Sequence, residues 1–284
     1  MLFMRARLGR ALLVFSAMTT LSYAAPRGQL REDIEYSRPG GVSLRMDAHI
    51  PEGHGPFPAV IIVHGGAWVS GDRRANVHPL FQPLQDAGFA WFSISYRLAT
   101  DITQFGAGIV DVEEAVRYVK QHAAEYNVDP DRIALVGESA GAQLASMAAL
   151  APGTGVKAVV AFYSPSDLAG IMQNSPRIPT QVRERLRGTP LEAMLTAFLR
   201  DLSPINWVHA NEPPFLLIHG TDDSLVPFQQ SVDLCNAMRA TGSSCEIYPV
   251  KRGGHGMRWW DSISEQTGYK AAMIAWLRQR LSLA

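Results

Sequence analysis

The chain has 284 residues, 47% of them hydrophobic, and 26 Lys and Arg balance 26 Asp and Glu to a formal net charge of zero. That length and apolar content suffice for one large α/β domain or two small ones. With no run of like charges, the composition argues against a nucleic-acid-binding stripe and against a polybasic membrane patch.

At the start of the chain, Arg5, Arg7 and Arg10 precede the apolar run from Ala11 to Leu21, and Ser22-Tyr23-Ala24 ends in small residues. This is the form of a secretory signal peptide over residues 1–24, with cleavage expected after Ala24. The apolar run is short of the roughly 20 residues that span a bilayer, so no stable membrane anchor is expected in the mature chain. No cysteine lies near the cleavage point, which argues against a lipoprotein. The expected destination of residues 25–284 is the periplasm or the exterior.

Asp33 to Ser37 and Val42 to Ile50 read as two strands joined by a hairpin turn at Arg38-Pro39-Gly40-Gly41. In the second, Leu44, Met46, Ala48 and Ile50 alternate with more polar neighbours, the pattern of a half-buried strand. Ala59 to Val63 is instead a continuous apolar run, as a strand covered on both faces requires. Similar runs recur at Phe89 to Ser95, Arg132 to Val136, Val156 to Phe162 and Phe215 to Ile218, and Glu246 to Val250 reads as a further strand.

Helical patterns lie between them. From Val110 to Tyr126, Val112, Ala115, Val116 and Val119 share one face while Glu113, Glu114, Arg117 and Lys120 share the other. Asn127-Val128-Asp129-Pro130 is expected to end this helix. Ala142 to Leu150 reads as another. The alternation predicts an α/β fold with a mostly parallel sheet and helices on both faces. Ser164 to Pro214 breaks it, with no strand-like run and helical patterns at 179–187 and 191–202. So long a connection suggests a small helical cap over residues 164–214, at the carboxyl edge where such folds bind ligands.

Cys235 falls on a helical pattern and Cys245 begins the following strand. In an oxidising compartment they are expected to form a disulfide, the alternative being two buried thiols. Two cysteine ligands are too few for a metal site.

The chemistry concentrates at strand ends. Gly137-Glu138-Ser139-Ala140-Gly141 follows an apolar strand and opens a helix, the form of a nucleophile elbow. A serine hydroxyl is a weak nucleophile and needs a base, which in turn needs an orienting acid. His255, in Arg252-Gly253-Gly254-His255-Gly256, lies in a loop after the last strand and suits the base. The acid is expected in His219-Gly220-Thr221-Asp222-Asp223, after the preceding strand. Spacing alone does not choose between Asp222 and Asp223, and the other is expected to serve the turn. His64-Gly65-Gly66-Ala67-Trp68 offers backbone N–H groups free of bulky side chains to a substrate oxyanion, with the Ala140 N–H as a further donor.

These features together resemble the α/β-hydrolases of the esterase/lipase group, which includes hormone-sensitive-lipase-like and feruloyl-esterase-like (BD-FAE) carboxylesterases. The resemblance covers nearly the whole mature chain and extends to Ser70-Gly71-Asp72, Tyr96-Arg97-Leu98, Asp129-Pro130, Ser203-Pro204 and Asp223 with Val226-Pro227. It implies the α/β-hydrolase fold with an eight-stranded, mostly parallel sheet. It also implies Ser139, Asp223 and His255 as the catalytic triad, because in similar enzymes the acid stands three residues before the Val-Pro pair. Gly66, Ala67 and Ala140 would be the oxyanion donors.

Ala67 stands where the hormone-sensitive-lipase pattern has a third glycine, which brings the chain nearer the feruloyl-esterase-like and formamidase-like branches. The implied activity is hydrolysis of a small-molecule carboxylic ester through an acyl-enzyme, with no cofactor, metal or nucleic acid. An arylformamidase, a prolyl-oligopeptidase-like serine peptidase or a non-catalytic binding protein are the alternatives. Trp68, Phe105, Trp207 and Trp259 are candidate pocket walls.

Overall fold

The computed structural model describes residues 28–174, 179–263 and 266–282. The expected signal peptide at residues 1–24 lies outside them. Eight strands form: β1 (Gly28–Ser37), β2 (Leu44–Pro51), β3 (Phe57–Val63), β4 (Ala90–Ile94), β5 (Val128–Glu138), β6 (Ala158–Phe162), β7 (Phe215–Gly220) and β8 (Cys245–Val250). They build one sheet in the order β1-β2-β4-β3-β5-β6-β7-β8. β2 runs antiparallel to both β1 and β4, and every pairing from β4 to β8 is parallel.

The continuous apolar runs occupy the places their composition demands. β4 and β6 are buried along their whole length, as is β3 from its second residue. Helices cover both faces: α1 (Phe81–Asp86), α2 (Ala107–Gln121), α3 (Ala140–Leu150), α4 (Leu168–Asn174), α5 (Thr180–Leu186), α6 (Pro190–Asp201), α7 (Gln229–Ala240), α8 (Met257–Trp260) and α9 (Tyr269–Arg280). One core joins Ile61, Phe92 and Leu135 to Val112, Val116, Leu144 and Leu234 on α2, α3 and α7. The other joins Ile62, Val136 and Ile218 to Leu84 on α1, Trp260 on α8 and Tyr269, Met273 and Leu277 on α9. Each layer buries one apolar helix stripe, the usual driving force for this architecture.

Several boundaries depart from the sequence reading. β1 begins at Gly28 rather than Asp33, because Gly28 to Arg31 pair with Ala48 to Pro51 before a register shift that contains Asp33 at φ 58°. α2 ends at Gln121 rather than Tyr126, and Asp129-Pro130 belongs to β5. Asn127 takes a left-handed turn at φ 50°, its carbonyl accepts the Phe57 N–H at 2.8 Å, and Val128 already pairs with Phe57. Cys235 on α7 and Cys245 on β8 form a disulfide. No helix among the described residues is long and apolar enough to cross a membrane.

Candidate active site

Ser139 sits between β5 and α3 with φ 53° and ψ −121°, a conformation that non-glycine residues rarely adopt. The elbow tolerates it because its glycines leave room. A Cβ on Gly141 would lie 2.2 Å from the His64 carbonyl oxygen, and one on Gly137 would lie 2.4 Å from that of Gly141. The Ser139 N–H donates to the Phe162 carbonyl at 2.9 Å, which ties the elbow to β6. The hydroxyl therefore stands at the carboxyl edge of the sheet, before the N-terminus of α3.

The loops after β7 and β8 bring the partners to it. Ser139 Oγ lies 2.9 Å from His255 Nε2, and His255 Nδ1 lies 2.7 Å from Asp223 Oδ2. Asp223 Oδ1 accepts the N–H groups of Leu225 and Val226, each at 2.9 Å. Burial by itself pushes the Asp223 carboxyl up. Hydrogen bonds from His219, His255 and the Val226 N–H outweigh it and hold the group well below the usual carboxylate range. An ionised Asp223 can only accept, so His255 Nδ1 carries the proton and Nε2 is free to accept from Ser139.

The neighbouring Asp222 is exposed and accepts from the Thr221 hydroxyl at 3.0 Å, so the structure separates the two aspartates. His219 is a further participant that sequence reasoning missed. Fully buried, it lies 3.4 Å from Asp223 Oδ2 and bonds Ser231 Oγ and the Val226 carbonyl. The only sequence signal was a histidine at the end of an apolar strand.

After β3, Gly66, Ala67 and Trp68 have φ of 124°, 53° and 66°. The turn is closed by Val69 and Ser70 N–H groups on the Gly66 carbonyl, at 3.2 and 3.0 Å. Gly66 has no alternative, because a Cβ there would lie 2.0 Å from the Ser70 carbonyl oxygen. The N–H groups of Gly66, Ala67 and Ala140 have no acceptor among the described residues, which leaves them available to an oxyanion. His64 is buried: burial pushes its imidazole down, its ring stacks on Tyr96 at 4.4 Å, and its carbonyl accepts the Tyr96 hydroxyl at 3.1 Å.

A cleft of about 340 Å³ opens over Ser139, lined by Gly66, Ala67, His255, Leu225, Met257 and Trp259 among others. Of the tryptophans singled out in the sequence, Trp259 alone belongs to it. Trp68 is turned away by its left-handed backbone: the indole stacks on Phe105 at 4.7 Å and donates to Gln143 Oε1 at 2.9 Å. Gln143 Nε2 in turn donates to the Leu202 carbonyl at 2.7 Å. Trp68 and Phe105 are thus packing residues, against a cluster of Leu168, Ala169, Leu199 and Leu202.

Trp207 is 41% exposed and its indole donates to the Asp201 carbonyl at 2.8 Å, so it is not a wall of this cleft either. The described part of residues 164–214 lies beside the cleft and does not line it. It borders a second cleft of about 300 Å³ that shares Leu225 with the first and includes Asp167, Ile171 and Asn174. Among the described residues, no group of three or more His, Cys, Asp and Glu is placed to hold a metal ion.

A parallel sheet with one antiparallel strand near its edge, an elbow serine and the order Ser, Asp, His define an α/β-hydrolase fold. A truncated carbohydrate esterase from gut microbiota has the same fold, with a TM-score of 0.75 and 26% identity over 90% of this chain and 98% of that one. The butyrate-bound esterase Est2 of Thermogutta terrifontis matches with a TM-score of 0.71 and 25% identity, over 90% and 95% of the two chains. The chain belongs to the BD-FAE family of α/β-hydrolases, whose family model matches residues 46–238. A probable carboxylic ester hydrolase of Mycobacterium tuberculosis, LipM, is 34% identical over 207 residues, 68% of this chain and 48% of that protein. The chain spans about half the length of the curated relatives it matches.

Proposed function

We infer that the protein is a serine carboxylesterase acting on small to medium esters. The observation that carries this reading is the continuous hydrogen-bonded line from Ser139 Oγ through His255 to the buried Asp223. His255 Nε2 takes the Ser139 proton as Oγ attacks the ester carbonyl, and Asp223 stabilises the imidazolium that forms. The N–H groups of Gly66, Ala67 and Ala140 receive the negative charge on the carbonyl oxygen. His255 then protonates the leaving alcohol, and water enters to hydrolyse the acyl-enzyme by the same steps in reverse.

The size of the cleft suits a short acyl group, and the relatives' names support esters of that kind. Acetyl and feruloyl esters, including those carried on carbohydrate, are the classes to test first. Residues 164–214 are read as a cap insertion flanking the cleft. The basic and apolar pattern of residues 1–24 and the Cys235–Cys245 disulfide support export to an oxidising compartment.

The deciding experiment is a rate profile over p-nitrophenyl esters of increasing acyl length, with methyl ferulate, acetylated xylan, N-formylkynurenine and a peptide amide alongside. Ester turnover that Ser139→Ala abolishes is the expected result. Turnover of the formamide or peptide with none of any ester overturns the reading.

A further inference from the structure

Two buried side chains outside the proton-transfer line join the three loops of the site. Glu138, the residue between Gly137 and Ser139, accepts the Gly65 N–H on Oε1 at 2.8 Å. Its Oε2 accepts the Tyr163 phenol at 2.7 Å, and that same hydroxyl accepts the Met257 N–H at 3.1 Å. The line from Gly65 to Met257 therefore starts at the oxyanion turn, passes through the elbow and ends where α8 begins, two residues after His255. The Tyr163 ring also stands edge-on to the His255 ring, with centroids 4.6 Å apart.

The sheet does not hold these loops in register by itself. Its last parallel pairs there are Val63 with Gly137 and Gly220 with Val250, and both the oxyanion turn and the His255 loop run beyond them. Tyr163 likewise follows the last β6 pair, held at φ 37° by its N–H on the Ile218 carbonyl. A buried carboxylate is costly unless its oxygens are occupied, and here both are. Packing alone would be met by an apolar pair of similar shape.

We propose that Glu138 and Tyr163 are positioning residues, a bridge that sets the Gly66 and Ala67 N–H groups and the His255 imidazole in one frame around Ser139. The proposal rests on the serine-hydrolase reading. Because the bridge acts on where the oxyanion and the base stand, breaking it weakens the transition state more than the ground state.

The test uses the full chain with Tyr163→Phe, Glu138→Gln and the double variant. It measures kcat and KM on p-nitrophenyl acetate, and the rate at which a fluorophosphonate probe labels Ser139, read by intact mass. Folding is monitored by circular dichroism and Tm, and kcat is counted per labelled site. Tyr163→Phe is expected to lower kcat and the labelling rate by about 10- to 100-fold, the scale of an ångström-sized misplacement. KM should stay within about twofold. Glu138→Gln keeps an acceptor for the Gly65 N–H and should lose less, about three- to tenfold, and it carries the test if Tyr163→Phe does not fold. The double variant should lose no more than Tyr163→Phe alone, since the bridge is already broken.

A purely structural role would lower Tm and the labelled fraction while leaving kcat per labelled site unchanged. That result, or single losses that multiply in the double variant, overturns the bridge. A wild-type protein whose Ser139 is not labelled overturns the hydrolase reading, and the bridge with it. Normal labelling of the wild type and of both variants overturns the bridge alone.

Discussion

Replacing Asp223 with Asn changes one atom of the site, and the structure dictates which way the new amide must face. Asp223 Oδ1 accepts two backbone N–H groups, from Leu225 and Val226. In the variant only the amide oxygen can satisfy those donors, so the NH₂ must occupy the place of Oδ2, 2.7 Å from His255 Nδ1. The reverse orientation would oppose an NH₂ to two N–H groups and forfeit about 2–3 kcal/mol of hydrogen bonding. Facing a donor, Nδ1 must accept, and the imidazole proton moves to Nε2. The base then presents an N–H to Ser139 Oγ, which it can no longer deprotonate.

The expected loss is about 10⁴-fold in kcat, the size seen for the same tautomer error in the Ser–His–Asp proteases, or about 5.4 kcal/mol of barrier. Steady-state rates on p-nitrophenyl acetate for Asp223→Asn and Asp222→Asn decide the matter. Asp222 is exposed and outside the line, so its variant should stay within about threefold of wild type. Asp223→Asn retaining more than a tenth of the activity, or Asp222→Asn being the more damaging change, would refute the reasoning.

Asp223 also links stability to pH. Its carboxyl lies below its unfolded value near 4, so its stabilisation is complete above that value and is lost as pH falls toward the lower folded one. The Tm gap between wild type and Asp223→Asn should therefore be full near pH 7 and close on acidification; a gap that widens in acid contradicts this sign. Replacing both Cys235 and Cys245 with Ser reopens a short loop and should cost about 2–3 kcal/mol in urea unfolding. Activity at 25 °C should persist, because Cys245 begins β8 whereas His255 follows its far end.

Gly141→Ala drives a Cβ into the carbonyls of Val63 and His64, at 2.3 and 2.2 Å. It should cost about 2–3 kcal/mol of stability and lower kcat, read by thermal unfolding and steady-state rates. Trp259→Ala opens the cleft wall and should reduce kcat/KM for methyl ferulate about tenfold relative to p-nitrophenyl acetate. Trp207→Ala should leave that ratio unchanged.

The strands and the elbow were legible because local physics sets them. A strand buried on both faces is dominated by an apolar run, such as Ala59 to Val63 in β3, Ala158 to Phe162 in β6 and Phe215 to Ile218 in β7. A strained serine between a strand and a helix needs glycines two positions to either side, where a Cβ would meet backbone, as at Gly137 and Gly141. Helices α1, α4, α8 and α9 were not identified. The first three are short, with stripes of one or two buried residues. α9 is longer, and its buried stripe of Tyr269, Met273, Trp276 and Leu277 has helical spacing in the sequence.

The α/β alternation, the order Ser139, Asp, His255 and the small-residue turn at Gly66-Ala67 can be read along the chain, since each piece depends on a few neighbouring residues. Folding sets what depends on distant residues meeting. It buried Asp223 against His255 and left Asp222 in solvent, and it turned Trp68 away while setting Trp259 at the cleft. It also brought Glu138 onto Tyr163, 25 positions away, and onto Gly65, 73 positions away. A side chain's role at a site is set by what faces it, and the strand order that brings those faces together is not written in any one segment.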